Sequence, residues 1–234
     1  MASSSWFERQ IADREWFDQY YQHSDYPRHS THDRAFVHVL ASKFNLKPGG
    51  QLLDLGCGLG WFSYLFSKAG FQVTGVDASV VGVEGARKNY YTGEINWLVG
   101  DALNLEFNAH FDVMYTGNFS PFTVRDSENE KHAAVIAQQI MHYLKPGGMF
   151  IFVWNSRLDE SDPTGEWVNY SVRQIRDNFG GLEDARLLGT YATHPQLCTL
   201  LGQYALSGPV TSLTNLGVKF HTRTARIVAA VQKN

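Results

Sequence analysis

The sequence predicts an α/β domain, a mostly parallel sheet with helices on both faces, and three observations predict it. Short segments that are apolar almost throughout, QLLDLG, FQVTGVD and MFIFVWN among them, alternate with helical stretches, as parallel strands buried on both faces do. A glycine-rich turn follows the first of these strands directly, the place where ligands of open α/β sheets bind. The 234 residues, 44% hydrophobic and 14% aromatic, suffice for one sizeable core, and no repeat, low-complexity tract or Pro/Gly/Ser linker divides them.

Residues 1–48 read as a helical N-terminal segment and 49–234 as the α/β core. In the first segment Trp6, Phe7, Ile11, Trp16, Phe17, Tyr20 and Tyr21 recur at helical spacing, Tyr26–Ser30 with Pro27 breaks the pattern, and a second helix spans about Asp33–Phe44. In the core, QLLDLG is a strand, Trp61–Ala69 a helix, FQVTGVD a strand, Val80–Tyr91 a helix, and INWLVGD and FDVMYTG strands. Glu130–Leu144 is a helix and MFIFVWN the next strand. Gly165–Phe179 then reads as helix, Arg186–Tyr191 as strand, Gln196–Leu206 as helix and ARIVAAVQ as the last strand.

Charge and cysteine content narrow the function classes. Lys plus Arg number 20 against 23 Asp plus Glu, a formal charge of −3 with no run of one sign, which disfavours a nucleic-acid polymer as partner. The N-terminal MASSSWFERQ lacks the apolar stretch of a signal peptide, and the longest apolar run, Met149–Trp154, falls far short of the ~20 residues that span a bilayer. With only Cys57 and Cys198, neither a disulfide framework nor a cysteine zinc site is available. The expectation is a cytoplasmic protein that engages neither a membrane nor nucleic acid.

The chemistry concentrates in LLDLGCGLGWF, residues 52–62. Gly56, Gly58 and Gly60 let the backbone turn sharply and approach a ligand where a side chain would intrude. A dinucleotide fingerprint needs a small residue where Trp61 stands. The spacing is instead acidic-x-G-x-G-x-G, with Asp54 at the strand end. A carboxylate there attracts the ammonium of a methionine moiety and sits poorly beside a pyrophosphate, which favours S-adenosylmethionine over a dinucleotide. Asp54, Asp77 and Asp101 end three successive predicted strands, 23 and 24 residues apart. Taken singly, each such Asp has a plain alternative role, capping the helix that follows.

With these motifs the sequence resembles the class I S-adenosylmethionine-dependent methyltransferases over roughly residues 50–155. Beside Asp54–Gly60 stand Val76-Asp77-Ala78-Ser79, Gly100-Asp101-Ala102, Phe111-Asp112-Val113 and Leu144-Lys145-Pro146-Gly147-Gly148, in the family's order. The resemblance implies a Rossmann-like, seven-stranded sheet with the last strand antiparallel, and S-adenosylmethionine as cofactor. It implies that Gly56, Cys57, Gly58 and Gly60 lie against the methionine part, that Asp77 with Ala78 beside it accepts from the ribose hydroxyls, and that Asp101 meets the adenine amino group with Ala102 alongside. Thr116 or Gly117 would border the sulfonium. Cys57 reads more simply as a small packing residue than as a nucleophile.

The acceptor leaves fewer marks. Thr116–Phe122 normally borders it in this family, where amino methyltransferases carry Asn/Asp-Pro-Pro-Tyr/Phe. Here two residues separate Asn118 from Pro121, which argues against DNA-base methylation and leaves Asn118, Phe119 and Phe122 to line the acceptor site. Hydroxyl acceptors need a base, and the His-rich segment before the glycine loop offers His32 and, second, His29. Their i, i+3 spacing lacks an evident third ligand, so no metal is expected. Tyr20, Tyr21 or Tyr26 is expected to reach the cofactor from an N-terminal helical lid. The reading is a small-molecule methyltransferase acting on oxygen. A protein or RNA methyltransferase, a nicotinamide-dependent oxidoreductase and a non-catalytic cofactor-binding module are the alternatives, and the oligomeric state is not legible.

Overall fold

The structure, a computed structural model, describes residues 6–23, 30–91, 93–123, 132–157, 168–221 and 225–234, with the backbone alone at 6–13, 123, 132 and 217–221. The chain begins with α1 (Trp6–His23) and α2 (Thr31–Lys43). Ser30 starts α2 with a capping box: its hydroxyl accepts from the His32 N–H, and the Asp33 carboxylate accepts from the Ser30 N–H in return. The alternating part follows as β1 (Gln51–Leu55), α3 (Trp61–Lys68), β2 (Gln72–Asp77), α4 (Val80–Asn89), β3 (Ile95–Val99), β4 (Phe111–Gly117), α5 (His132–Ile140) and β5 (Leu144–Ser156). The chain closes with α6 (Val172–Phe179), β6 (Ala185–Thr193), α7 (Pro195–Leu201), α8 (Gly208–His221) and β7 (Ala225–Lys233).

The strands form one seven-stranded sheet in the order β3-β2-β1-β4-β5-β7-β6. Pairing is parallel from β3 to β5, and β7 runs antiparallel to both of its neighbours. This is the expected sheet, including its reversed strand. Its order turns back between β1 and β4, which leaves a crevice at the carboxyl ends of those strands, the site such sheets offer to ligands. Because β7 is antiparallel, its first residues stand at the same edge, where Arg226 pairs with Asn155 of β5 and Thr193 of β6.

Strand alternation divides the core between the two faces. Ile227, Ala229 and Val231 of β7 join Phe150 and Phe152 under α5 and α6, whereas Val228 and Ala230 join Ile151, Phe36 and Phe66 under α2 and α3. Both sets are buried.

Boundaries differ from the expectation in understandable ways. The strand β5 starts at Leu144 because that residue already pairs with Phe111; a register shift then restores the ladder at Val113–Met149. The helix expected over Gly165–Phe179 is described from Ser171, whose hydroxyl caps α6. That over Gln196–Leu206 ends at Leu201 and continues as a 3-10 turn. The helix α8 has no counterpart in the sequence reading: GPVTSLTNLGVKFH is rich in Gly, Thr and Ser, weak helix formers, and packing on β6 supports it instead. Among the described residues no helix is long and apolar enough to cross a membrane.

Candidate functional site

Five residues, Gly56–Gly60, carry the chain from β1 into α3, and the turn requires left-handed backbone at Gly56, Gly58 and Gly60, with φ of 75°, 52° and 83°. Neighbouring strand ends hold the loop. The Val76 carbonyl accepts from the N–H groups of Gly56 and Cys57 at 2.8 and 3.0 Å. The two Asp77 carboxylate oxygens accept from the N–H groups of Gly58 and Ser79 at 2.8 and 2.9 Å. A Cβ on Gly60 would stand 2.5 Å from the Trp97 ring, and one on Gly56 2.8 Å from the Phe119 ring. Two positions that sequence reasoning assigned to a ligand cradle are thus also closed by the protein itself.

Two buried acids sit under this loop. Burial pushes the Asp54 carboxyl up to about 7; the 2.6 Å bond from the Ser63 hydroxyl opposes the shift and the nearby Asp77 adds to it. Asp77 is also raised, by burial first, against its two backbone N–H bonds. The buried Cys57 thiol is driven well above its ordinary value, so it has none of the character of a nucleophile.

The helix α1 stands on the same edge. The Asp18 carboxylate accepts from the Ser79 hydroxyl and from the Val81 N–H at the start of α4. The Tyr21 phenol oxygen lies 2.7 Å from where a Gly58 Cβ would stand, and its ring 3.0 Å from the corresponding point on Gly82. Tyr20 instead stacks on Trp16, with centroids 5.2 Å apart, and is 40% exposed. Tyr21 is thus the tyrosine that stands over Gly58 of the glycine loop.

Further along the edge, Asp101 folds its own turn. Its oxygens accept from the Leu103 N–H at 2.9 Å and from the Asn104 amide, while Ala102 is buried in the core and Ala78 is exposed. Thr116 is fully buried and its hydroxyl has no hydrogen-bond partner among the described residues. Gly117 ends β4 with the Tyr115 phenol 2.9 Å from its Cβ position.

A cavity of about 50 Å³ opens between the glycine loop and the ends of β4, β5 and β7. Asp54, Gly56 and Cys57 line one side, Gly117, Asn118 and Asn155 another, and Trp61, Phe62 and Arg226 a third. Asn118 adopts φ 53°, a conformation asparagine tolerates, and its side-chain oxygen accepts from the Asn155 N–H at 2.8 Å, which ties β4 to β5 at the rim.

Arg226 is the feature that sequence reasoning missed. One terminal nitrogen, Nη2, donates to Asp33 Oδ1 at 2.8 Å, and Asp33 Oδ2 accepts from the Trp61 indole at 2.9 Å. The guanidinium carbon lies 4.7 Å from the Phe36 ring centre and 5.5 Å from that of Phe62. In sequence Asp33 stands at the start of the second helix and Arg226 is the first polar residue of the last strand. Their 193-residue separation hides the pair.

Three expected positions do not line the cavity. Phe122 does not line the cavity: it is fully buried, edge-on to Phe152, with its carbonyl accepting from the Tyr170 phenol. Its short 3-10 turn points the ring into the core. His32 does not line the cavity either, because its Nδ1 is bonded to the Thr199 hydroxyl of α7 at 2.9 Å. Phe119 is buried against Gly56 and is likewise absent from the cavity wall. His29 and Tyr26 lie outside the described residues.

Comparison with known proteins agrees with this geometry. Residues 52–148 match the model of a methyltransferase domain. The chain is 32% identical over 151 residues to a 2-methyl-6-phytyl-1,4-hydroquinone methyltransferase of Synechocystis sp., covering 62% of this chain and 45% of that protein. It is 35% identical over 100 residues to a cypemycin N-terminal methyltransferase of Streptomyces sp., covering 43% of this chain and 40% of that one. The chain therefore spans less than half the length of these curated relatives. A solved 1,6-didemethyltoxoflavin-N1-methyltransferase of Burkholderia thailandensis, holding 1,6-didemethyltoxoflavin and S-adenosylhomocysteine, superposes with a TM-score of 0.66 at 13% identity, over 100% of this chain and 92% of that one.

Proposed function

We propose that this chain, which belongs to the class I S-adenosylmethionine-dependent methyltransferases, transfers a methyl group to a small organic molecule, at an oxygen atom. The observation that carries the reading is a cavity that touches the glycine loop and Asp54 on one side and the polar groups of Asn118, Asn155 and Arg226 on the other. There the methyl end of a bound cofactor and the head group of an acceptor would meet.

The residues fit the cofactor. The space beside Gly58 is filled at its nearest points by the Tyr21 side chain. Asp54 is a buried acid whose ionised form an ammonium would stabilise, and Asp77 keeps lone pairs beyond those given to Gly58 and Ser79 for ribose hydroxyls. Asp101, with Ala102, is assigned to the adenine edge, and the buried, unbonded hydroxyl of Thr116 with Gly117 to the sulfonium end. When bound, S-adenosylmethionine supplies an electrophilic methyl group on sulfur.

The protein's share is alignment and exclusion of water. Tyr21, held by α1, covers the loop as a lid, and Trp61 with Phe62 walls the cavity with aromatic surface. The Asn118 amide and the Arg226 guanidinium are N–H donors, which suit an acceptor that offers oxygen lone pairs. His29 remains the candidate base. The protein is expected to act without a metal, on a small molecule and not on nucleic acid.

Calorimetry with S-adenosylhomocysteine tests the cofactor site: native protein should bind in the micromolar range, and Asp77→Ala should lose about 1–3 kcal/mol. Incubation with methyl-labelled S-adenosylmethionine and fractionated cell extract, followed by mass spectrometry, then locates the methyl group. Absence of S-adenosylhomocysteine binding would sink the activity; a methyl found on nitrogen or carbon would sink the oxygen assignment.

A further inference from the structure

The Asp33–Arg226 pair is built more carefully than a strut requires. Both side chains are nearly out of water, 3% and 14% exposed, and the guanidinium is fixed by an ion pair on Nη2 and by aromatic rings near its carbon. Yet Nη1 is buried with no hydrogen-bond partner among the described residues, and Arg226 lines the cavity. A buried N–H left unmade is costly, so a ligand oxygen that meets it gains what the protein has left open.

The charge around that nitrogen sets which oxygen. Asp33 already neutralises the guanidinium, and among the described residues no further Lys or Arg lines the cavity, whereas Asp54 does. A carboxylate entering here would give up its hydration to meet a cation that is already paired, with another acid on the opposite wall. A carbonyl or carboxamide oxygen gives up much less and takes the same N–H. The aromatic surface of Trp61 and Phe62 also favours a weakly polar group over an ion. The cavity of about 50 Å³ holds a head group of this size, not a whole acceptor.

We infer that Arg226, positioned by Asp33, anchors the methyl acceptor through Nη1 and selects a neutral oxygen-bearing head group, a carbonyl or carboxamide, over a carboxylate. This rests on the methyltransferase reading above and adds to it the chemical class of the acceptor. Arg226 is thereby a specificity residue at the substrate, and Asp33 a positioning residue that acts through it.

The test uses the isosteric pair benzamide and benzoate, titrated into the full chain with and without S-adenosylhomocysteine while the guanidinium NMR signals of Arg226 are followed. Benzamide should bind about tenfold more tightly than benzoate and shift the Nη1 signal. Arg226→Lys keeps a positive charge toward Asp33 but has no second planar nitrogen. It should lose about tenfold in benzamide affinity while S-adenosylhomocysteine affinity is kept. Asp33→Asn unmasks the guanidinium charge and should move the preference toward benzoate. If thermal melting shows Asp33→Asn unfolded, native protein and Arg226→Lys decide alone. Benzoate binding as tightly as benzamide to native protein, an unchanged benzamide affinity in Arg226→Lys, or no binding of either probe overturns the inference. Failure of S-adenosylhomocysteine to bind overturns the methyltransferase reading instead, and the titration without it still reads Arg226.

Discussion

The phenol oxygen of Tyr21 occupies the space a side chain on Gly58 would take, 2.7 Å from the Cβ position. A helix near the start of the chain therefore closes directly on the loop that joins β1 to α3, without an intervening layer. Asp18, one turn earlier on the same helix, caps α4 through Ser79 and Val81. Ser79 in turn neighbours the Asp77 carboxylate, which receives its N–H. Helix, loop and acid form one connected unit.

That connection makes Asp18 a hinge pin for the proposed lid. Asp18→Ala should cost about 1 kcal/mol of stability through the lost cap. It should also speed S-adenosylhomocysteine release, because α1 loses the bonds that Asp18 makes at the start of α4. Stopped-flow dissociation compared between native protein and Asp18→Ala checks this; identical release rates would show that α1 does not gate the site.

The two glycines at 58 and 60 should respond differently to the same change. At Gly60 a methyl meets the Trp97 ring at 2.5 Å and Ala86 at 2.8 Å, groups locked in the core, and the backbone is left-handed. Gly60→Ala should destabilise by about 3 kcal/mol or more. At Gly58 the obstacle is the phenol end of the Tyr21 side chain, so Gly58→Ala should cost about 1 kcal/mol and mainly displace that side chain. Chemical denaturation of both variants, with Tyr21 fluorescence or NMR as reporter, separates the cases.

His32→Ala should leave turnover within about twofold of native, since the ring is bonded to Thr199 and lines no part of the cavity. A loss of about a hundredfold or more, measured once an acceptor is known, would restore His32 as the base.

What was legible in the sequence is what depends on neighbours in the chain. The strand ends at Asp54, Asp77 and Asp101 follow from apolar runs closed by an acid and glycine, and the reversed last strand came with the family resemblance. What was hidden depends on distant packing. His32 looked like a base because of its place before the glycine loop, yet Thr199 of α7, 167 residues away, takes its ring. Phe122 looked like a wall of the acceptor site, yet Tyr170 and Phe152 draw it into the core. Arg226 carries no motif at all; only the antiparallel pairing of β7 with β5 sets it beside Asn155 at the functional edge.

Asp54 supplies a pH test of the site that needs no acceptor. Its carboxyl titrates near 7 in the folded chain, against an ordinary value near 4 when unfolded, because burial outweighs the Ser63 hydrogen bond. The folded state thus holds the extra proton between about pH 4 and 7, so stability from this site falls as pH rises across that window and the full cost stands above it. Asp77, raised by burial too, acts with the same sign. Asp54→Asn keeps an oxygen for Ser63 and removes the titration, so the variant should match native protein near pH 4 and exceed it by about 2 kcal/mol at pH 8. Urea unfolding at the two pH values measures this. A cationic ammonium beside Asp54 reverses the balance, so binding of S-adenosylhomocysteine near pH 7 should release a proton, seen as a calorimetric enthalpy that varies with buffer. Native protein and Asp54→Asn with the same pH dependence of stability and the same buffer effect would remove Asp54 from the ammonium site.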